Sequence, residues 1–405
     1  MSRPLHIVQL ANFYGPGSGG LRTAIDRLAA GYCERGHRVT TIVPSEFDGR
    51  FVVGERTTVG IASPVAPLLG GGYRLAIDRT AVAEQLAADP PDVIELSDKT
   101  TLTASIRRDP IRATPVVLFS HERLDAVIAR AVGTTWFDPL VDRYNRRLAR
   151  RVDTIVCASR YAATEFERID VEVSQVPLGV DLATFRPDHS SQPTTSPGTP
   201  LRLIAVVRLS PEKDPWLLVE TSRRLFADGV DHELVVHGDG PLRERLVRMS
   251  TGLPIRFGGF VEDRRRLAAD MASADVGIAP GPLETFGLAA LELLASGTPV
   301  VVPSSGALAE IADGRVAVAA DRTPESFAAA IRTLASRNRG DLSDAARSLA
   351  CRFSWDRTIS SMLGIHTDAT LGRTGISART CSPHRGSSRS ARAGSDPVRP
   401  STGAA

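Results

Sequence analysis

Short β-branched runs alternate with stretches of helix length in two successive parts of this chain, and that alternation constrains the fold more tightly than any other feature. The first series is LHIVQL, RVTTIV, DVIEL, PVVLF, TIVCA and VEVSQV; the second is RLIAVV, ELVVHG, DVGIA, PVVV and RVAVA. Parallel strands need a long return connection, usually a helix, so the order predicts α/β architecture with parallel sheets covered on both faces. Between the two series lies RPDHSSQPTTSPGTP, Arg186 to Pro200, which is polar, Pro-rich and without apolar period. It reads as a linker. The expectation is two doubly wound, Rossmann-like domains over 1–185 and 201–352, joined by 186–200.

The length supports two cores: 405 residues, 42% of them apolar, exceed what one small domain needs. Four widely spaced cysteines (Cys33, Cys157, Cys351, Cys381) form no CxxC or mixed Cys/His pattern, which argues against a disulfide framework or a zinc site and for a reducing cytosol. No stretch has the form of an export signal or approaches the roughly 18 apolar residues of a membrane span. The net charge of +3 is concentrated at one end. From His366 to Ala405, six arginines face Asp368 and Asp396, a local +4, so the first 365 residues carry 3 − 4 = −1. That Ser-, Gly- and Arg-rich tail is expected to be disordered and is read as a solvated extension, in preference to an arm that binds nucleic acid or anionic lipid.

In doubly wound folds ligands sit at the carboxyl ends of the strands. LANFYGPGSGG, Leu10 to Gly20, leaves the first strand there, and Leu21, Ile25, Leu28, Ala29 and Tyr32 then mark one face of a helix. Glycines at that place let backbone N–H groups approach an anion at a helix N-terminus, although GPGSGG is not a regular GxGxxG and also fits a simple tight turn. In the second half, GPLETFGLAALELLASG puts Glu284 before a helix and Glu292 inside it, with Phe286 and Gly287 offering N-terminal amides. Eight residues of helix span about 12 Å, so the two carboxylates bracket an elongated ligand and do not grip one atom. A capping Glu284 with a salt-bridged Glu292 is the structural alternative. RLSPEKD brings Arg208 and Lys213 to another strand end, where two cations suit a diphosphate or surface pairs with Glu212 and Asp214. No two aspartates stand two apart, so no DxD magnesium clamp is present, and no metal or resident cofactor is expected.

These residues resemble the retaining nucleotide-sugar glycosyltransferases of family 4, from about Leu5 to Leu363. The resemblance is carried by Glu284 with Glu292, Arg208 with Lys213, GDGP at Gly238 to Pro241, the glycine loop, and VPLGVDLATF before the linker. ANFYGPGSGGLRTAIDRL, SHERLD and GPLETFGLAALE look most like the actinobacterial GDP-mannose-dependent branch that adds an α-1,6-mannose to phosphatidylinositol dimannoside. The resemblance implies the GT-B arrangement, two Rossmann-like domains facing across a cleft, with a C-terminal helix over 353–365, opening at SWDR, that crosses back to the first domain. Leu178 stands where many relatives carry Asn, and Asp214 where Gly is frequent.

The resemblance also implies roles. Gly19, Gly20, Arg208 and Lys213 would hold the donor diphosphate, Phe286 and Gly287 would contribute amides, Glu284 would position the sugar, and Glu292 would accept from the ribose. His121, in LFSHER, resembles the active-site histidine that contacts the transferred sugar. The partners would be a nucleotide-sugar donor and an anionic glycolipid acceptor, at the cytoplasmic face of a plasma membrane to which the chain is peripheral. Candidate acceptor or membrane residues are Tyr73 and Arg74 in GGGYR, Lys99 in LSDKT, and Arg146, Arg147, Arg150 and Arg151 in DRYNRRLARR; the last group equally fits a solvated helix face. A transferase acting on a soluble acceptor, a nucleotide-sugar epimerase of the same fold, and a silent nucleotide-sugar binder remain as alternatives.

Overall fold

The computed structural model describes residues 3–15, 19–65, 74–76, 78–106, 113–133, 136–187 and 199–373. The first half contributes strands β1 (His6–Leu10), β2 (Arg38–Ser45), β3 (Gly49–Val53), β4 (Arg56–Ala62), β5 (Val93–Leu96), β6 (Val116–Ser120), β7 (Thr154–Cys157) and β8 (Ser174–Gln175). They form one sheet in the order β3-β4-β2-β1-β5-β6-β7-β8, parallel throughout except for β3, which folds back on β4. Helices α1 (Gly20–Glu34), α2 (Arg79–Ala88), α3 (Leu124–Val132), α4 (Asp138–Ala149) and α5 (Arg160–Glu167) connect them. Strands β1, β5, β6 and β7 are buried along their whole length, as a sheet covered on both faces requires.

The second half repeats the plan. Strands β9 (Leu201–Val206), β10 (His232–His237), β11 (Ile255–Gly259), β12 (Val276–Ile278), β13 (Val300–Pro303) and β14 (Ala317–Ala320) form an all-parallel sheet in the order β11-β10-β9-β12-β13-β14. Its helices are α6 (Trp216–Ala227), α7 (Arg243–Met249), α8 (Arg264–Ser273), α9 (Leu288–Ala295), α10 (Pro324–Ala335) and α11 (Arg339–Ala350). Every strand expected from the sequence is present. The hairpin β3–β4 and the edge strand β11 were not expected: β3 is almost wholly exposed and β11 ends in two glycines, so neither carries a buried apolar run.

In both sheets the strand order reverses beside the first strand, between β1 and β5 and between β9 and β12. Those two switch points are where such folds place ligands. The loops that leave them are Ala11–Gly19 and Ser97–Thr101 in the first half, and Val207–Lys213 and Ala279–Gly287 in the second.

The chain passes between the halves twice. At the first passage Gly179 lies so close to the second that a Cβ there would stand 2.2 Å from the backbone nitrogen of Trp355. Only glycine fits this crossing. Val180 N–H donates to the Phe353 carbonyl at 3.0 Å, and Thr358 Oγ1 to the Pro177 carbonyl at 2.8 Å. Arg347 adds donations to the carbonyls of Leu182, Phe185 and Ala295. The last helix, α12 (Trp355–Thr370), is started by Ser354, whose hydroxyl accepts from the Arg357 amide, and packs back onto α1.

Helix α12 corrects two expectations. It runs past 365 to Thr370, and His366 belongs to its buried face, not to a tail. The fully buried ring meets Tyr32 edge to face, with centroids 5.3 Å apart, and its Nε2 lies 3.2 Å from Glu95 Oε2. A buried histidine between polar residues, in HTDAT, gave no apolar period to extend. The tail from 374 onward, and 188–198 of the linker, lie outside the described residues.

Candidate active site

Helix α1 begins at Gly20, after Gly19, and Ala24, Ile25, Leu28, Ala29 and Tyr32 bury its inner face, so its N-terminus is held at the carboxyl edge of the first sheet. A Cβ on Gly20 would come within 3.4 Å of Leu288 Cδ1, the first residue of α9, while one on Gly19 would meet nothing within 4 Å. The two helix N-termini therefore face each other across the cleft, each with amides unsatisfied within its own helix. Gly287 precedes α9 with φ of 93°, a left-handed conformation, and its missing side chain leaves room for Leu308, whose Cδ2 would lie 2.2 Å from a Cβ. Phe286 is buried and packs edge to face on Phe353, so its side chain is structural and only its backbone faces the loop.

Lys213 and Glu284 come together directly: Lys213 Nζ donates to Glu284 Oε1 at 2.8 Å, and both side chains are partly exposed. Glu284 lines a cavity with Val206, Val207, Gly281, Gly287 and Ala290, and Lys213 reaches it through that carboxylate. Arg208 leaves the same switch point; burial lowers its guanidinium below the ordinary arginine value, opposed by Glu212 and Glu284, and the group stays cationic at neutral pH. Lys213 takes Glu284 as its partner in place of the neighbouring acids imagined for it. Glu212 accepts from Ser210, and Asp214 is engaged by Arg322 at 2.5 Å. Asp214 has φ of 49°, which explains why a glycine is at home at that position and what the aspartate adds in its place.

Glu292 is buried within α9, and Arg264, at the first position of α8, donates to its Oε1 at 2.7 Å. Burial raises the Glu292 carboxyl and Arg264 opposes that rise. The Arg264 guanidinium lies over the Phe185 ring, 4.9 Å from its centroid. Sequence reasoning missed Arg264, one of three consecutive arginines in DRRRLAAD that nothing local distinguishes.

His121 follows β6 and stacks on Phe119 with centroids 4.4 Å apart. Its Nε2 is buried with no hydrogen-bond partner among the described residues, and burial pushes the imidazole down to about 4, so it is neutral at pH 7. The His121 carbonyl accepts from Thr285 Oγ1 at 2.5 Å, and Ser159 Oγ donates to the Thr285 carbonyl at 2.7 Å. The loop that carries Glu284 is thus fastened to the loop that carries His121. Thr285 and Ser159 were not foreseen; Thr285 lies beside Glu284 in the motif but is recognisable only when both halves are seen together.

The acceptor candidates divide. Lys99 is withdrawn: it is buried, and its Nζ is paired with the fully buried carboxylate of Glu165, which also accepts from the Leu124 amide and Asn145. Arg74 donates to the Ser63 carbonyl at 2.7 Å beside Glu46, and Tyr73 lies outside the described residues. Arg146, Arg147, Arg150 and Arg151 are exposed toward the carboxyl end of α4. Among the described residues no group of three or more His, Cys, Asp or Glu could hold a metal ion, and no helix is long and apolar enough to cross a membrane.

Two doubly wound domains meet at their switch points, and the cations and helix N-termini around the cleft between them suit an anionic ligand. Residues 19–179 match the glycosyl transferase 4-like domain and residues 200–337 the glycosyl transferases group 1 family, and the chain belongs to these glycosyltransferases. It is 44% identical over 386 residues to the GDP-mannose-dependent alpha-(1-6)-phosphatidylinositol dimannoside mannosyltransferase of Mycobacterium tuberculosis, covering 93% of this chain and 98% of that one. It is also 37% identical over 222 residues to a D-inositol 3-phosphate glycosyltransferase of Geodermatophilus obscurus, covering 50% and 49%. Among solved structures, sucrose-phosphate synthase of Thermosynechococcus elongatus superimposes with a TM-score of 0.76 at 18% identity, covering 91% of this chain and all of that one, which shows a shared GT-B fold.

Proposed function

We propose that this chain moves mannose from GDP-mannose to a phosphatidylinositol mannoside, forming an α-1,6 linkage with retention at the anomeric carbon. The observation that carries the reading is the Lys213–Glu284 pair at 2.8 Å, fastened through Thr285 to the loop of His121. It sets a cation for the leaving diphosphate beside a carboxylate for sugar hydroxyls, opposite a neutral imidazole. The near full-length similarity to the mycobacterial mannosyltransferase supports the choice of donor and acceptor.

In this reading Arg208, Lys213 and the N-termini of α1 and α9 neutralise the charge that develops as the bond from the anomeric carbon to the diphosphate oxygen breaks. The acceptor hydroxyl attacks from the face the diphosphate leaves, and its proton passes to the departing phosphate oxygen. Glu284 holds sugar hydroxyls, His121 contributes a hydrogen bond without charge, and Glu292 turns from Arg264 toward the ribose. The acceptor arrives from a membrane surface to which the chain is peripheral, on the cytoplasmic side where a nucleotide sugar is available.

The test is incubation with labelled GDP-mannose, with and without phosphatidylinositol dimannoside, followed by linkage analysis of the product. A trimannoside formed only with acceptor is expected, and transfer should persist in EDTA. Conversion of the sugar without acceptor would replace the reading by an epimerase. Transfer only to a water-soluble inositol phosphate or sugar would replace the acceptor. Glu284→Ala should lower turnover on the order of 100-fold while GDP affinity changes little, since its contacts are to the sugar. Equal weakening of GDP and GDP-mannose with normal turnover at saturation would remove it from the chemistry.

A further inference from the structure

The hairpin of α3 and α4 is covered poorly for its composition. Helix α3 reads LDAVIARAV, yet among its described side chains only Asp125 is buried, and Val127 is 40% exposed. At the start of α4, Trp136 is 89%, Leu140 63% and Phe137 45% exposed. Large apolar side chains standing together in water mark a surface meant for a partner.

The charge around this tip identifies the partner. On the outer face of α4, Arg143, Arg146, Arg147 and Arg150 are exposed, whereas the acids of the same helix are already taken: Asp142 accepts from Arg168 at 2.5 Å and Asp138 lies 3.9 Å from the same guanidinium. What faces outward is an apolar tip followed by cations for which no ion pair is found among the described residues, the composition of an element that lies in the interface of an anionic bilayer. Tryptophan, with an apolar body and one N–H, is the residue most at home at that depth. The other exposed apolar group, Phe47, Phe51, Val52 and Val53 on the β3–β4 hairpin, has exposed Glu46, Asp48 and Glu55 against a single exposed Arg50, an excess of the opposite sign.

The placement suits a lipid acceptor. Helix α4 leads into the amino end of β7, so its own amino end lies about 18 Å further toward the carboxyl edge of the sheet, where His121 stands. Tyr144 fixes that direction by donating to the Lys99 carbonyl at the same edge. Helix α3 starts three residues after His121, with its first amide held by Glu165. We propose that the exposed tip formed by Val127, Trp136, Phe137 and Leu140, backed by the arginines of α4, docks this chain on an anionic lipid bilayer and sets the bilayer beside the cleft. The proposal rests on the lipid-acceptor reading but assigns the anchoring to the apolar tip, with the arginines as its electrostatic support.

The experiment is flotation with phosphatidylcholine vesicles, with and without phosphatidylinositol, at low and high salt, alongside mannosyl transfer to vesicle-embedded and to deacylated, water-soluble acceptor. The wild-type chain should float with the phosphatidylinositol vesicles. Trp136→Ser with Leu140→Ser should lose about tenfold or more of that binding at both salt levels, together with transfer to the embedded acceptor, and keep transfer to the soluble one. Replacing the four arginines of α4 by Gln should weaken binding chiefly at low salt. A blue shift of the fluorescence on adding vesicles should vanish in Trp136→Phe. Unchanged flotation of the Ser variant, or equal loss of transfer to the soluble acceptor, would overturn the proposal, as would a dimer of the wild type that this variant dissolves. A wild-type chain that floats but mannosylates neither acceptor would refute the enzymatic reading and leave the docking surface standing.

Discussion

The His121 imidazole is enclosed against Phe119, so a proton added to it loses solvation, and burial outweighs the help of Glu95 to leave it with a value near 4 in place of 6.5. The unfolded chain then binds more protons at this position between those two values, and stability falls as pH drops from about 6.5 toward 4, by at most roughly 3 kcal/mol. His121→Asn should flatten that part of the melting-temperature profile, and the same slope in both proteins would show that another group titrates. Lys99 and Glu165 give a second residue-scale test. Both are buried, so Glu165→Leu strands an ammonium in the interior and should cost about 3 to 5 kcal/mol, read as a loss of denaturation midpoint. Adding Lys99→Met should recover much of it, because an apolar pair needs no counter-charge; no recovery would mean that Glu165 matters through the Leu124 amide and Asn145 alone.

Among the elements, α12 shows most clearly how folding joins distant parts of the chain. Glu95, in the middle of β5, is fully buried; burial would raise its carboxyl, but His366, with Tyr32 and Gln9 donating at 2.7 and 2.9 Å, holds it below the usual glutamate value. The end of the crossover helix is thus inserted into the polar core of the first domain. A chain ending at Arg373 should fold and transfer as the full chain does, whereas one ending at Ile365 loses His366 and Ala369 from the interface and should become insoluble or melt at lower temperature, as tested by thermal unfolding of the purified truncations. If both shortened chains behave alike, the His366 contact contributes nothing. The strands and most helices were legible because buried parallel strands announce themselves as continuous β-branched runs. The positions of Glu284, Lys213 and Arg208 at the cleft were legible because their motifs lie at strand ends. Lys99 was misread because an exposed-looking LSDKT gives no sign of Glu165, 66 residues away in the chain. Arg264, His366 and Thr285 went unseen for the same reason: each acts through a partner that only the tertiary fold supplies.

Across the whole molecule, polar contacts join the two halves at the mouth of the cleft. Thr285 spans the cleft in both directions, donating to the His121 carbonyl and accepting from Ser159, and Glu310 caps α5 from the opposite domain by accepting from the amides of Arg160 and Tyr161 at 3.1 and 2.6 Å. Apolar packing is concentrated at the double crossing around Gly179 and along α1 and α12, which places a hinge there and the polar contacts at the mouth. Each such hydrogen bond contributes about 1 kcal/mol, so removing the three made by the Thr285 hydroxyl and the Glu310 carboxylate shifts the closed-to-open ratio on the order of 100-fold. Thr285→Val together with Glu310→Ala should therefore raise the radius of gyration measured by small-angle scattering of the donor-free chain. Donor binding should weaken, because the glycines of α1 and the cations after β9 no longer face one another. The melting temperature should stay close to that of the unaltered chain, since neither side chain belongs to a core. Addition of GDP-mannose at saturation should restore the compact form, as a ligand that binds only the closed state must. A double variant that keeps both its radius and its donor affinity would show that the hinge packing alone fixes the closed arrangement, and that the polar contacts at the mouth follow from closure without contributing to it.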